Sequence, residues 1–223
     1  MNRHSSSLRL ILSAYEPEQR FLNVDKIQPN VKSAFTGVGP VEAAIHTTRY
    51  ITSLHPAEIF FIGTAGSYPN RFLSPGDVVI PFSYRFGDVA TAMGNSYMPD
   101  PQPSELSFER HCQLPHYPFK VKNGVVLTTP SITRETSASV ALRDFYRADA
   151  EQLEVFSVAR VAAYFHISFT AILGISNLVG PDSHSQWKAN EEMAIRHASL
   201  VLTDWIREAQ PVPDLIKRRT NSD

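Results

Sequence analysis

The sequence predicts an α/β fold: a single domain built on a mixed β-sheet flanked by helices. Two strand-length runs, EIFFI at residues 58–62 and SFTAILGI at 168–175, are apolar at nearly every position, the pattern of strands covered on both faces. Residues 152–165, QLEVFSVARVAAYF, have helical length, no Gly or Pro, and apolar side chains almost all the way round. A helix packed on a sheet and buried by its neighbours looks like this. With 223 residues, 43% of them apolar, the chain can bury a sizeable core without a second domain.

The elements follow in order. After a polar leader expected to be flexible (residues 1–7), residues 8–15 form a short apolar strand that stops at EPEQ, where Pro17 favours a turn or a helix start. Residues 32–38 are a second strand. Gly37 and Gly39 then make a tight connection into a helix from Val41 onward. This stretch resembles part of a dinucleotide fingerprint, but Glu42 stands where the third glycine belongs. The EIFFI strand runs into GTAGS, whose small residues suit either close backbone approach to a ligand or a plain tight turn. Pro75, Gly76 and Asp77 turn the chain into VVIPFSYRF, a strand in which Pro81 implies an edge or a bulge. Residues 94–119 are Pro-rich and irregular, with a short helix expected near 104–110. GVVLTT at 124–129 is a strand ending in the polar tip TTPSITRET, and Thr133 or Thr136 is placed to cap a helix running to Phe145. The 152–165 helix, the 168–175 strand, a Gly180-Pro181-Asp182 loop and a helix over 186–209 complete the fold, and residues 211–223 read as a frayed tail.

Composition excludes several classes. A net charge of -1, with no Lys/Arg run longer than residues 217–219, provides no basic face for a nucleic-acid backbone. The single cysteine, Cys112, rules out an intramolecular disulfide. No segment approaches the roughly 18 apolar residues of a membrane span, and the N-terminus lacks an export signal, so a cytoplasmic protein is expected. His111, Cys112 and His116 lie close together, but a structural zinc site needs four ligands and no second cluster is visible. No metal is expected.

Two polar residues stand out against this apolar frame. Glu154 opens a greasy helix, and Asn177 lies just past the carboxyl end of a buried strand, where open α/β sheets place their ligands. Taken singly, each has a plain structural explanation: a carboxylate suits the positive end of a helix, and Ser-Asn after a strand is often a turn.

Six motifs taken in sequence carry more weight. SAYEPE, TGVGPVEAA, IGTAGS with PGDVVIP, GVVLTTPSIT, QLE and GISNLVG occur in this order between residues 8 and 187, and together they resemble the nucleoside phosphorylase and nucleosidase superfamily. The resemblance implies a role for each. Glu18 matches a carboxylate near the ribose that activates the attacking water, and Glu154 matches a glutamate that accepts hydrogen bonds from ribose hydroxyls. Thr64, with Ala65 and Gly66, matches the loop near sugar and nucleophile. Ile132 and Thr133 match the segment flanking the base, Leu153 takes the place of a methionine at the ribose, and Asn177 matches the residue meeting purine N7 and the group at C6. The resemblance implies a small-molecule nucleoside partner, no cofactor, and a homodimer whose neighbour closes the 5' side of the pocket with residues 97–119.

Departures from the pattern refine the expected substrate. Phe61 stands where the related hexameric and uridine-type phosphorylases carry a phosphate-binding arginine, which favours water as nucleophile. Adenine-specific nucleosidases carry an aspartate able to protonate N7 where this chain has Asn177, and an amide is better suited to a 6-oxopurine. ISN followed by VGP is most similar to the futalosine hydrolases of menaquinone biosynthesis, which release hypoxanthine, although Asp182-Ser183-His184 follows where they often carry an arginine.

Overall fold

The computed structural model describes residues 8–108 and 112–208. Both expected tails, and His111, lie outside them. Strand β1 (Arg9–Ser13) leads through a 3-10 turn (Glu16–Gln19) and the short helix α1 (Val24–Ile27) to β2 (Val31–Phe35) and α2 (Pro40–Leu54). Next come β3 (Glu58–Ser67), β4 (Val78–Phe86), α3 (Val89–Ala92), β5 (Glu105–Ser107) and β6 (Val121–Thr128). The chain then forms α4 (Thr136–Tyr146), β7 (Ala150–Gln152), α5 (Val155–Tyr164), β8 (Ser168–Leu178) and α6 (Ser183–Glu208).

All eight strands join one mixed sheet in the order β2-β1-β3-β7-β6-β4-β5, with β8 bonded to both β3 and β4. That double pairing closes β3, β8, β4, β6 and β7 into a ring. β3 and β8 are its spine, parallel in register from Glu58↔Ser168 onward. They are buried on both faces, as their apolar runs predict. Ile59 and Phe61 face a core completed by α2 and α5, while Phe60 and Ile62 face one completed by α6. All four are fully buried, each contributing about 1.5–3 kcal/mol relative to exposure. Among the described residues no helix is long and apolar enough to cross a membrane.

Several expectations shift. GTAGS is not a loop but the second half of β3, held by β8 on one side and β7 on the other. Pairing is a backbone property, so small residues take part where neighbours supply the ladder. Asn177 correspondingly lies within β8 rather than beyond it. Where a helix was expected near 104–110, Glu105–Ser107 form β5, antiparallel to β4, and residues 109 and 110 lie outside the described residues. The open edge of β4, an Arg85–Glu105 ion pair at 2.8 Å and edge contact between Tyr84 and Phe108 outweigh the local helical pattern. Pro81 sits at a register shift in the β4–β6 pairing, the bulge rather than the edge. The helix expected from residue 152 starts at Val155, because residues 150–152 pair with β3 and β6. Neither Thr133 nor Thr136 caps α4; its N-cap residue is Glu135, which makes no side-chain cap bond.

Candidate active site

The nine residues singled out from the sequence line one cavity of about 300 Å³. Glu18 reaches it because β1 stops at Ser13 and the 3-10 turn around Pro17 folds the chain back. One carboxylate oxygen then accepts the Ala14 N–H at 3.0 Å and the other accepts the Thr64 N–H at 3.0 Å. Glu18 is thus tied between the ends of β1 and β3. It is 3% exposed, and burial, aided by the nearby charge of Glu154, pushes its carboxyl up to about 8.

Glu154 occupies the N-cap position of α5, yet its side chain does not cap that helix. Its Oε1 accepts the Gly39 N–H at 2.7 Å and its Oε2 accepts from the Gln152 amide. Gln152 takes over the capping, its Oε1 receiving the N–H groups of Glu154 and Val155, each at 2.6 Å. The partial glycine fingerprint therefore has a use on this chain. Gly37 and Gly39 adopt φ of 79° and 94°, open to glycine, and the turn they make aims the Gly39 N–H at Glu154. Burial raises the Glu154 carboxyl as well.

Asn177 is positioned by a bulge. Ala65 pairs with Ile175 but Gly66 pairs with Asn177, so Ser176 is the extra residue and Asn177 comes opposite Gly66. Its Oδ1 accepts the Ser176 hydroxyl at 2.8 Å and its Nδ2 donates to the Leu178 carbonyl at 3.0 Å. These contacts orient the amide. They leave it one N–H and one acceptor lone pair without a partner among the described residues.

Thr64 Oγ1 accepts from the Trp187 indole at 3.3 Å, and His184 stacks on Trp187 with ring centroids 5.9 Å apart. The first turn of α6 thereby supplies a flat aromatic wall. Ala65 is buried, Leu153 is half-buried, and Ile132 is exposed at the cavity mouth. Thr133 points inward onto Glu151, which accepts its N–H at 3.0 Å and its hydroxyl at 2.6 Å.

The sequence reading missed Glu151, Gln152 and Trp187. The two polar residues before Leu153 were a visible signal, since an interrupted apolar pattern beside Glu154 needs a reason. Trp187, merged into the apolar stripe of a helix, had none. Of the cysteine–histidine cluster, Cys112 packs against α6 near the Trp205 carbonyl and His116 is exposed. Among the described residues no three metal-ligating groups converge.

The site places two buried carboxylates around one end of a cavity and a carboxamide farther along. Glu18 is bonded at Thr64 and Asn177 stands beside Gly66, two residues on, about 6–7 Å away along the strand. A ligand whose positive centre and polar heterocycle are so spaced satisfies both ends.

The sequence model of the family described as the phosphorylase superfamily matches residues 26–207. A 5'-methylthioadenosine/S-adenosylhomocysteine nucleosidase of Psychromonas ingrahamii is 27% identical over 183 residues, covering 77% of this chain and 78% of that protein. Among solved structures, the futalosine hydrolase of Helicobacter pylori strain 26695 has a TM-score of 0.77 at 17% identity, covering 91% of this chain and 98% of that one. A 5'-methylthioadenosine/S-adenosylhomocysteine nucleosidase from Colwellia psychrerythraea 34H, in complex with adenine, has a TM-score of 0.75 at 18% identity, covering 90% and 95%. The fold is that of these enzymes, as the six motifs led us to expect, and the chain belongs to the phosphorylase superfamily.

Proposed function

We propose that this protein is a purine nucleosidase that hydrolyses the N-ribosidic bond of a 5'-modified 6-oxopurine nucleoside, futalosine above all, and releases hypoxanthine. The observation that carries the reading is the convergence of Glu18, Glu154 and Asn177 on one cavity. Breaking the C1'–N9 bond leaves positive charge on the sugar and the electron pair on the base. Glu18 takes a proton from water as the oxygen bonds to C1', Glu154 accepts from the ribose hydroxyls, and the unpartnered Asn177 N–H donates to the departing purine, which gains its proton from solvent. Phe61 is fully buried in the core, so the position at which related phosphorylases hold phosphate offers no anion site here, and water is the nucleophile.

A second reading is a 5'-methylthioadenosine/S-adenosylhomocysteine nucleosidase, the name carried by relatives 26–27% identical in sequence. Asn177 favours the first, since it has no acidic proton for N7. In either case the working unit is a homodimer in which residues 97–119 of a neighbouring subunit cover the 5' side. Tyr97 is 84% exposed and Val38 and Ile132 at the cavity mouth are open, which suits such a cover.

One experiment separates these readings. The protein is incubated with futalosine, 5'-methylthioadenosine and inosine, with and without phosphate, and the freed base is chromatographed. Hypoxanthine released from futalosine without phosphate is expected. Adenine as the main product supports the second reading, and turnover only with phosphate defeats hydrolysis.

A further inference from the structure

Tyr15 lines the cavity, and the hydrolysis above assigns it no task. Its place is fixed by the end of β1. The Ala14 N–H holds the Glu18 carboxylate at 3.0 Å, and the Ala14 carbonyl accepts the Gly37 N–H at 3.0 Å. Tyr15 is therefore set between Glu18 and the glycine turn that carries Val38 at the cavity mouth. Helix α6 borders it as well. His184, Trp187 and Glu191 recur at helical spacing on one face. Glu191 is near enough for its charge to act on the Tyr15 hydroxyl, and Arg20 pins Glu191 at 2.5 Å. Trp187 is bonded to Thr64, the residue whose N–H is the second donor to Glu18. Tyr15 and Trp187 thus share the Glu18 end of the cavity, where the sugar reacts.

The hydrogen bonds around Tyr15 determine what its hydroxyl can do there. Among the described residues the hydroxyl makes none. Its carboxylate neighbours are engaged elsewhere: each Glu18 oxygen accepts a backbone N–H, and Glu191 accepts from Arg20. Burial first, then the charges of Glu18 and Glu191, push the phenol up to about 12, so it keeps its proton at neutral pH. A phenol is a stronger donor than acceptor, because its oxygen lone pair is delocalised into the ring. The wall presents an unpaired donor.

The nucleoside decides which of its atoms meets that donor. The water on Glu18 faces C1' and Glu154 takes the 2'- and 3'-hydroxyls, so C5' is the part of the sugar left for this wall. We propose that Tyr15 selects the 5' substituent, its hydroxyl donating to a neutral carbonyl oxygen carried close to C5'. A thioether there is disfavoured, because its sulfur is a weak acceptor and leaves the hydroxyl unpaired. A carboxylate at the same point meets the like charges of Glu154 and Glu191. The inference rests on the purine nucleosidase reading and specifies the 5' group within it.

The test compares kcat/KM for 5'-O-acetylinosine and 5'-O-isopropylinosine, which have the same number of heavy atoms and differ by a carbonyl oxygen in place of a methyl group. The same pair built on adenosine makes the answer independent of the base. The intact protein is expected to favour the acetyl compound by about tenfold or more. In Tyr15→Phe, which keeps the ring and loses the donor, that ratio should fall to about one; a general loss of activity or stability would leave it unmoved. Should Tyr15→Phe not fold, Tyr15→Met removes the donor with a different side chain. A ratio that persists in either folded variant, or an intact protein that cleaves both compounds equally well, overturns the proposal. Failure of the intact protein to cleave any of the nucleosides would instead remove the nucleosidase reading itself.

Discussion

At Glu18 the proposed mechanism and the stability of the fold depend on the same proton. Its carboxyl, pushed up to about 8 by burial and the neighbouring Glu154, titrates near the working pH, which is where a general base is most effective. The reading predicts that kcat/KM climbs with pH and levels off above about 8, and that Glu18→Gln lowers kcat by about 10²–10⁴-fold with little change in KM. The same shift sets a pH-dependent stability. Because the folded protein holds this proton more tightly than the unfolded chain, whose carboxyl titrates at 4.5, the contribution is fully present below 4.5 and is lost as pH rises through about 8. Denaturant titrations should show the intact protein losing stability relative to Glu18→Gln across that window, by on the order of a few kcal/mol. A flat difference between the two would place the charge of Glu18 elsewhere. Glu18 was visible in the sequence as an acid after a strand. Its two backbone donors, and therefore its direction, were not, because one of them comes from Thr64 on another strand.

The elements hold these groups through close approaches that only glycine permits. A Cβ on Gly66 would lie 2.8 Å from Asn177 Nδ2 and 2.9 Å from Val179 Cγ2. Gly66→Ala is therefore expected to displace the amide, lowering kcat/KM by about 10–10²-fold while overpacking costs about 1–3 kcal/mol. Gly174 is a different case: its Cβ would meet the Ala194 carbonyl oxygen of α6 at 2.1 Å. There, backbone meets backbone and no side chain can yield. Gly174→Ala should lower the denaturation midpoint by more than Gly66→Ala does, since α6 must lift from β8; equal midpoints would contradict the tight α6–β8 packing. The elements were legible in kind and blurred at their ends. β3 and β8 run past the points where their apolar residues stop, since neighbouring strands pair GTAGS, Asn177 and Leu178 through the backbone. β5 was read as a helix because its local pattern says nothing about the open edge of β4 beside it.

On the scale of the molecule, ring closure through β8 brings the ends of β1, β3, β7 and β8 to one cavity. The mouth of that cavity is apolar and open, with Val38 and Ile132 exposed. The proposed homodimer predicts sedimentation at twice the subunit mass and a specific activity that falls on dilution as subunits separate. A fully active monomer would leave residues 97–119 without the part assigned to them. The sequence by itself determined the α/β class, most of the strands and helices, and the strand-end residues that line the cavity, because apolar runs and short motifs are local properties. Only the tertiary structure decided which polar groups meet. Gly39 and Glu154 bond across 115 residues, Glu18 and Thr64 across 46, and Tyr68 and Glu151 across 83. Such contacts depend on strand order, register and a single bulged residue, and no local pattern encodes them.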